Sequence, residues 1–237
     1  MTQKYLAQAA GFSGLLLLGG LAHAVTIDNF DVGPYFGSST IRAFGDGSDL
    51  NNPTNQPGLS TSDVIGGVRD TELTIPNSGN GADEISATVS ASTGYFQVSN
   101  SSSAAGTATL TWDGGGTLGG LDLTNGGLAT GFFLGIPEPI DNELDITFTV
   151  NGSSTESVSF PNGSEGDDFF IPFASFSDPA VFTTVDVIQM SVTGPNAYDA
   201  TIDLVETRPR PVPVPGTLAL LGLGLAGLGL RRRKRVA

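Results

Sequence analysis

Carboxylates are almost the only side chains in this sequence that could carry chemistry. The chain has 237 residues, among them 24 aspartates and glutamates, one histidine and no cysteine. All 24 acids lie within residues 25–206, where the only basic residues are Arg42 and Arg69. This charge balance repels nucleic acid and favours divalent cations or simple solvation, so we expect no nucleic-acid partner.

The missing residue types exclude most catalytic arrangements. The one histidine, His23, lies in an N-terminal segment that we expect to be removed, and residues 25–206 contain no lysine. That part of the chain therefore has no Ser-His-Asp or Cys-His arrangement, no histidine metal ligand and no Schiff-base lysine. Glycoside hydrolysis needs only two carboxylates, but no pair stands out here. We expect a non-enzymatic protein, with a secreted polysaccharide-active enzyme as the alternative.

Four aspartates are candidate ligands of a structural calcium ion. Asp28 and Asp31 accompany the first predicted strand. Asp199 and Asp203 share one face of the last predicted strand, because side chains an even number of residues apart point the same way. The first and last strands of a sandwich often lie close together, and carboxylate oxygens are the hard ligands that calcium prefers. The alternative is that all four are solvated strand acids.

Trp112 and Asp113 are the candidate ligand-binding pair. They lie in the stretch TLTWDGGG, at the end of a predicted strand and beside a glycine-rich loop. An exposed aromatic face stacks on sugar rings, and a neighbouring polar group fixes a hydroxyl. The alternative is that Trp112 belongs to the core, where large aromatic side chains are mostly found.

The elements that must position these residues have the pattern of β-strands. In the run ELDITFTV, at residues 143–150, apolar and polar side chains alternate, and Asn151 and Gly152 then predict a hairpin turn. Similar runs recur at short intervals, and none before the C-terminal tail has the apolar period of a helix. We therefore predict one all-β domain over residues 25–206, an antiparallel β-sandwich of the jelly-roll type. Residues 45–62 are predicted to form a polar loop within it.

Five motifs, taken in order, resemble the jelly-roll modules of exported bacterial proteins, which are similar to carbohydrate-binding modules. They are TIDNFD, GGVRDTEL, TLTWDG, FFIPFASF and DATIDLV, and together they span most of residues 26–205. The resemblance implies a jelly-roll fold and a carbohydrate ligand such as exopolysaccharide. It also implies a structural calcium ion where the first and last strands meet.

The N-terminus has the pattern of a secretory signal peptide. Lys4 precedes an apolar stretch that includes residues 15–18, and Ala22 and Ala24 give the small-x-small pattern of a cleavage site. Residues 1–24 are therefore predicted to be removed, so that the mature chain begins near Val25. This implies the Sec translocon and signal peptidase as partners. The alternative is a short buried helix.

Residues 207–237 form a tail with three parts. A proline-marked strip at residues 211–215 precedes an apolar segment, residues 216–230, which is predicted to be a short transmembrane helix. Five basic residues follow, namely Arg231, Arg232, Arg233, Lys234 and Arg235. They would stay cytoplasmic by the positive-inside rule, so the bulk of the chain would lie outside.

This ending resembles the PEP-CTERM class of sorting signals, which combine a proline motif, an apolar helix and a basic cluster. The glutamate of the class is replaced here by Val214, and this departure resembles the variant endings written VPLPA. The sorting motif would then consist of Val212, Pro213, Val214, Pro215 and Gly216.

The resemblance implies processing by an exosortase in the inner membrane of a Gram-negative bacterium, and delivery to the cell surface or extracellular matrix. The expected role there is structural or adhesive. If the tail were instead a permanent anchor, the protein would be an inner-membrane-tethered periplasmic binding protein.

Overall fold

The computed structural model describes residues 24–32 and 40–210, except for the side chains of residues 167 and 168. Apart from Ala24, the predicted signal peptide lies outside the described residues, and so do the predicted sorting motif and transmembrane helix. Within them, the chain forms fourteen β-strands and three short 3-10 helices, and no helix is long and apolar enough to cross a membrane. The strands are β1 (Val25–Asp28), β2 (Thr40–Phe44), β3 (Thr54–Pro57), β4 (Val68–Thr74), β5 (Glu84–Ser90), β6 (Tyr95–Asn100), β7 (Thr107–Trp112), β8 (Gly131–Ile136), β9 (Leu144–Val150), β10 (Ser154–Phe160), β11 (Gly166–Pro172), β12 (Ile188–Thr193), β13 (Asp199–Ile202) and β14 (Leu204–Arg208). The 3-10 helices are Ile65–Gly67, Phe173–Ser175 and Pro179–Thr183.

The strands form two layers, and every pair is antiparallel. One layer is a six-stranded sheet with the order β10-β9-β12-β7-β4-β3. The other layer consists of two four-stranded sheets, β1-β14-β8-β11 and β13-β6-β5-β2. Only Asp203 separates β13 from β14, so one continuous stretch of chain joins these two sheets. Buried apolar side chains from all three sheets form one core between the layers.

The chain passes back and forth between the layers, as it does in a jelly roll. β4 and β7 belong to the six-stranded sheet, whereas β5 and β6 belong to the opposite layer. In the same way, β8 and β11 lie opposite the strands that precede and follow them. The predicted all-β antiparallel sandwich is therefore confirmed.

Strands form where polar and apolar residues alternate. In β7 the side chains of Ala108, Leu110 and Trp112 are buried, and the threonines between them face outward. Successive side chains point to opposite faces of a strand, and β-branched residues pack well on such a surface. The alternation therefore fixes which side chains enter the core.

The predicted hairpin between β9 and β10 is also confirmed. Val150 pairs with Ser154, and the turn between them contains Asn151 and Gly152. Both turn residues have a positive φ, 53° for Asn151 and 68° for Gly152, which asparagine and glycine tolerate best. The Asn151 amide also donates to the carbonyl of Thr184 at 2.9 Å, which ties the turn to the body of the sandwich.

A cluster of phenylalanines fills the core under β8. Phe132 of β8 stacks on Phe148 of β9, with ring centroids 4.6 Å apart, and thereby joins the two layers. Phe173 and Phe182 come from two of the 3-10 helices, stack at 3.8 Å and meet Phe132 edge-on. Aromatic pairs of this kind each add about 0.5–1.5 kcal/mol beyond the area they bury. The phenylalanine-rich stretch at residues 169–182 is therefore a core element.

A buried ion pair connects the layers at another point. Arg69 on β4 donates to Asp28 on β1 through Nε and Nη2, each at 2.5 Å, and both side chains are fully buried. Asp28 also accepts from the indole Nε1 of Trp112 at 2.8 Å and from the backbone N–H of Phe30 at 2.9 Å. Nη1 of Arg69 donates to Gln56 at 3.0 Å. These bonds compensate two charges that would be costly to bury separately.

The fold holds the chain in place up to the last described residue. The buried hydroxyl of Thr207 donates to the carbonyl of Leu123 at 3.2 Å. The backbone N–H of Thr130 donates to the carbonyl of Arg208 at 3.1 Å, and the Thr130 hydroxyl accepts from the backbone N–H of Arg210 at 2.9 Å. The last strand and its anchoring thus extend past residue 206, the predicted end of the domain.

We predict that Asp28→Asn lowers the free energy of unfolding by about 3–5 kcal/mol, because it leaves the fully buried guanidinium of Arg69 without its counter-charge. Urea unfolding gives the measurement. Asp31→Asn is the matched control, since Asp31 is exposed and its loss should change the free energy by no more than about 0.5 kcal/mol. Equal effects of the two substitutions would contradict the role given to the pair.

A second prediction concerns Trp112, the only tryptophan of the chain, whose side chain is 0% exposed. We expect its emission to be blue-shifted in the folded protein and almost insensitive to acrylamide, because no solvent reaches the ring. The unfolded protein in urea supplies the reference for an accessible indole. Red-shifted, readily quenched emission from the folded protein would place Trp112 on the surface instead.

Candidate functional site

A polar groove crosses the outer face of the β13-β6-β5-β2 sheet. It has a volume of about 320 Å³, and side chains from three adjacent strands form its floor. These side chains are Ser86 and Thr88 on β5, Gln97 and Ser99 on β6, and Asp199 and Thr201 on β13, with Glu138 and Pro139 beside β13. Concave sites with a few convergent polar groups are the usual form of small-molecule sites.

Strand register arranges the floor of the groove into two rows. Residues of one row are direct partners across β5, β6 and β13, and their side chains share the outer face. Neighbouring strands lie about 4.7–4.9 Å apart, so each row presents polar groups at that interval. The residues between the rows point into the core and hold the floor rigid. The rows are Thr88-Gln97-Thr201 and Ser86-Ser99-Asp199.

A buried tyrosine sets the position of Asp199. The hydroxyl of Tyr198 donates to the carbonyls of Val192 at 3.1 Å and Gly106 at 3.3 Å. Burial, and to a lesser degree the charge of Asp199, raise the pKa of Tyr198 above its ordinary value, so the hydroxyl stays protonated and remains a donor. Because Tyr198 points inward, the next side chain, Asp199, points outward. Its backbone is also held by Asp141, through two hydrogen bonds of 3.1 Å.

A carboxylate closes the groove beside β13. Thr201 is buried on the floor, and its hydroxyl donates to Oε2 of Glu138 at 3.3 Å. Glu138 itself is exposed, so its carboxylate keeps acceptor capacity for a ligand. The segment that carries Glu138 thus forms a polar wall at this side.

The opposite side of the groove carries one cation. Arg42 on the edge strand β2 is exposed, and its Nη1 lies 3.3 Å from Oε1 of Glu84 on β5. On the same face, the hydroxyls of Thr40 and Thr88 are 3.0 Å apart and hydrogen-bonded to each other. An exposed pair such as Arg42 and Glu84 contributes little to stability, so both groups can exchange partners with a ligand.

Tyr95 supplies an aromatic ring next to the floor. It lies two residues before Gln97 on β6, and its side chain therefore faces the same side of the sheet. The ring is half-buried, in contrast to the fully buried indole of Trp112. A partly exposed tyrosine combines an apolar face with a polar end.

Several polar groups on the floor are available to a ligand. Among the described residues, the side chains of Gln97, Ser99 and Asp199 have no hydrogen-bond partner, and all three are exposed. None of the described side chains that line the groove is cationic, whereas Asp199 and Glu138 are negatively charged. The groove is therefore a hydrogen-bonding site of mildly negative potential.

The predicted calcium site is not assembled in the described part of the chain, where no three acidic side chains form a group that could hold a metal ion. The expectation for Asp28 needs correction, because its carboxylate is buried and bonded to Arg69 and Trp112. Asp31 is exposed at the end of β1.

The other two predicted calcium ligands also lie apart. Asp199 is in the groove, whereas the carboxylate of Asp203 lies over Gly135, whose missing side chain leaves room for it. Calcium binding by all four aspartates would require the Asp28–Arg69 pair to break. The structure offers no other described group of ligands for the ion.

The predicted ligand-binding pair needs correction as well. Trp112 is buried and donates to Asp28, so its ring cannot stack on a sugar. Asp113 is partly exposed, and its Oδ1 accepts from the backbone N–H of Gly115 at 2.8 Å, which stabilises the loop after β7. The alternative that Trp112 belongs to the core is therefore confirmed, because the register of β7 turns its side chain inward.

Sequence reasoning missed most of the groove. Of its lining residues only Asp199 was a candidate, and then as a calcium ligand. The available signal was the outward set of the runs EISATVS and YFQVS, which is unusually rich in hydroxyl and amide groups. The sequence of these runs does not show that the two strands are neighbours in the sheet. The polar residues that line the groove could therefore not be grouped from the sequence alone.

Comparison with solved structures gives distant likenesses. The family 11 carbohydrate-binding module of the cellulosomal cellulase Lic26A-Cel5E of Clostridium thermocellum is 13% identical, with a TM-score of 0.36 and coverage of 80% of this chain and 96% of the module. A family 11 module from the same organism, in complex with a β-1,3-1,4-mixed-linked tetrasaccharide, is 14% identical, with a TM-score of 0.32 and coverage of 73% and 98%. An exo-β-agarase is 11% identical, with a TM-score of 0.37, and the match covers 82% of this chain but 26% of the agarase. Likenesses this distant assign neither a ligand nor a reaction to this chain.

No curated protein sequence matches the chain. One sequence motif does match, and it lies directly after the last described residue. Residues 211–234 match the PEP-CTERM protein-sorting motif, a range that includes the proline strip, the apolar segment and the basic residues up to Lys234. The resemblance found in the tail is therefore confirmed: the chain carries a PEP-CTERM sorting motif, which implies that it is exported and sorted.

Proposed function

We propose that this protein is a non-enzymatic component of the cell surface or extracellular matrix, and that its sandwich binds carbohydrate through the groove on the β13-β6-β5-β2 sheet. The observation that carries this proposal is the floor of the groove. There, rigid strands present hydroxyl, amide and carboxylate groups that have no described partner within the protein.

Sugars are recognised by this kind of surface. A pyranose offers many hydroxyls, each both a donor and an acceptor, and groups such as Gln97, Ser99 and Asp199 can bond to them in both senses. Tyr95 adds an apolar ring at the side of the floor, onto which a sugar face can pack. Because the sheet holds the backbone of the floor in place, the protein loses little conformational entropy when a ligand binds.

The charge of the groove favours neutral polysaccharides. Asp199 and Glu138 repel a uronate or sulfate group, and the one nearby cation, Arg42, is paired with Glu84. An acidic polymer would also meet the surplus of carboxylates on the rest of the domain. A neutral glycan meets neither obstacle, and carboxylates are good acceptors for its hydroxyls.

The two ends of the chain supply the route to the surface. Residues 1–24 direct the chain through the Sec translocon and are removed by signal peptidase. Residues 216–230 hold it in the inner membrane, with the basic cluster at residues 231–235 on the cytoplasmic side. An exosortase then processes the tail near the motif at residues 212–216 and releases the sandwich for attachment outside the cell of a Gram-negative bacterium.

We predict that the double substitution Gln97→Ala and Asp199→Ala weakens binding to a neutral polysaccharide roughly 5- to 150-fold. Each lost hydrogen bond contributes about 0.5–1.5 kcal/mol, and two of them correspond to this range of affinity. Affinity electrophoresis against soluble neutral and anionic polysaccharides, with and without calcium, identifies the polymer. Titration calorimetry of the wild-type and variant proteins then measures the loss.

The matched control is the pair Gln189→Ala and Glu72→Ala on the outer face of the six-stranded sheet. It removes the same kinds of group from the far side of the sandwich, where Gln189 is already bonded to Thr111 at 3.2 Å. The control protein should bind as the wild type does. If both double variants lose affinity equally, or if no polysaccharide binds, the groove is not a carbohydrate site.

A second prediction tests the sorting route. The protein recovered from the native cell envelope should begin near Val25 and lack the residues after about Pro215, because the tail serves only until processing. Intact mass spectrometry measures both ends at once. A mass that still includes residues 216–237 would identify the tail as a permanent anchor and the protein as a tethered periplasmic one.

A further inference from the structure

The tail leaves the sandwich at a well-defined place. Thr130 bonds to the backbone of both Arg208 and Arg210, and the PEP-CTERM motif begins at residue 211. The guanidinium of Arg208 lies 3.8 Å from the ring centroid of Phe133, and that of Arg210 lies 5.8 Å from the centroid of Phe170. No spacer therefore separates the fold from the sorting motif.

The described cations are concentrated at this exit. The described residues contain four arginines, and one of them, Arg69, is fully buried. Of the other three, Arg208 and Arg210 are at the exit, and Arg42 is on β2, in a different sheet from β14. On a domain with 24 acids, two of the three described arginines outside the core are therefore at the exit.

An exposed leucine lies beside these arginines. Leu128 is 50% exposed and stands two residues before Thr130, which bonds to both of them. One other large apolar side chain is similarly exposed in the described ranges, Leu50 at 47%, but its loop also contains Asp46 and Asp49. We call Leu128, Thr130, Arg208 and Arg210 the exit face, and it combines an apolar side chain with two cations.

The length of the chain that follows brings the exit face close to the membrane. Five residues, 211–215, separate Arg210 from the apolar segment, so the Cα atoms of residues 210 and 216 are at most about 22 Å apart. The headgroup layer occupies about 5–7 Å of that distance. Arg210 is therefore within about 16 Å of the lipid surface, or two Debye lengths of about 8 Å each at physiological salt.

We propose that the exit face docks on the anionic lipid surface of the inner membrane while the tail is still in place. This rests on the proposed membrane insertion of residues 216–230. The two arginines face the lipid phosphates and Leu128 enters the headgroup region, as basic and apolar residues do at such interfaces. The anionic lipid repels the acidic remainder of the domain, which therefore faces away from the membrane. The proline strip at residues 211–215 is thus presented to the processing enzyme in one fixed orientation.

Among the described side chains, the carboxylates of Glu206 and Asp122 oppose this attraction. Glu206 lies 3.3 Å from Arg208 and offsets part of its charge. Asp122 is in the same loop as Leu128, where its carboxylate accepts from the Thr124 hydroxyl at 2.6 Å and the backbone N–H of Gly126 at 3.0 Å. Arg210 has no such carboxylate beside it among the described ion pairs, so it is the cation to test.

The chain has no cysteine, so single labels can be placed at will. The experiment uses the mature chain with its tail, labelled with a fluorophore at Leu128→Cys or at Asn196→Cys, in vesicles that carry a headgroup spin-labelled lipid as quencher. Asn196 is exposed and precedes β13, whose first residue, Asp199, is roughly 30 Å from Arg208 along β13 and β14 at about 3.3 Å per residue. Vesicles of phosphatidylethanolamine and phosphatidylglycerol are compared with vesicles of phosphatidylcholine alone.

In the anionic vesicles we expect the label at position 128 to be quenched at least about threefold more than the label at position 196. Arg210→Gln or high salt should abolish most of this difference, whereas the matched substitution Arg42→Gln should not. Equal quenching at both positions, or quenching indifferent to anionic lipid and to Arg210→Gln, would overturn the docking proposal. Failure of the protein to float with any vesicle would instead refute the insertion of the tail.

Discussion

The two layers of this sandwich depend above all on the buried contact between Asp28 and Arg69. A guanidinium with 0% exposure is tolerable only because a carboxylate meets it in bidentate geometry, with Gln56 satisfying a further donor. Asp28 comes from β1 and Arg69 from β4 in the opposite layer, and Trp112 joins them from β7. Any other alignment of the layers would bury the two charges apart, so we interpret the pair as fixing which faces meet. The chain has no cysteine, and no disulfide shares this task.

The inner faces of the sheets pack in the core, so only the outer faces can bind a ligand. The outer faces of the six-stranded sheet and of the β13-β6-β5-β2 sheet differ in whether their polar side chains already bond to each other. On the six-stranded sheet the outer hydroxyls satisfy one another, as in the contacts of Thr107 with Thr193 at 2.9 Å and of Thr109 with Ser191 at 3.0 Å. On the β13-β6-β5-β2 sheet, Gln97 and Ser99 have no such partner among the described residues. A polar group already bonded to its neighbour gains less from a ligand than one that is bonded only to water.

How far the sequence predicts this structure depends on the range of the interactions involved. Alternation and the Asn151 turn are local, and they predict most of the strands, the hairpin and the all-β sandwich correctly. β3 was missed because Thr54–Pro57 is a short edge strand with polar residues and a proline, which has the composition of a loop. The bonds of Asp28 with Arg69 and with Trp112 could not be foreseen, because each joins residues of opposite layers. The groove is missed because it also depends on contacts between distant parts of the chain. Its two rows of polar side chains form only when β5, β6 and β13 pair with one another.

The continuous run of β13 and β14 connects the groove with the exit face. Asp199 stands at the start of this run, in the groove, and Arg208 stands at its end, beside the tail. Strand geometry separates them by roughly 30 Å, at about 3.3 Å per residue. A domain whose exit face lies against the membrane therefore holds its groove away from the lipid. β13 is paired with β6, and β14 is paired with both β1 and β8, so the proposed processing of the tail would leave the pairing of both strands unchanged.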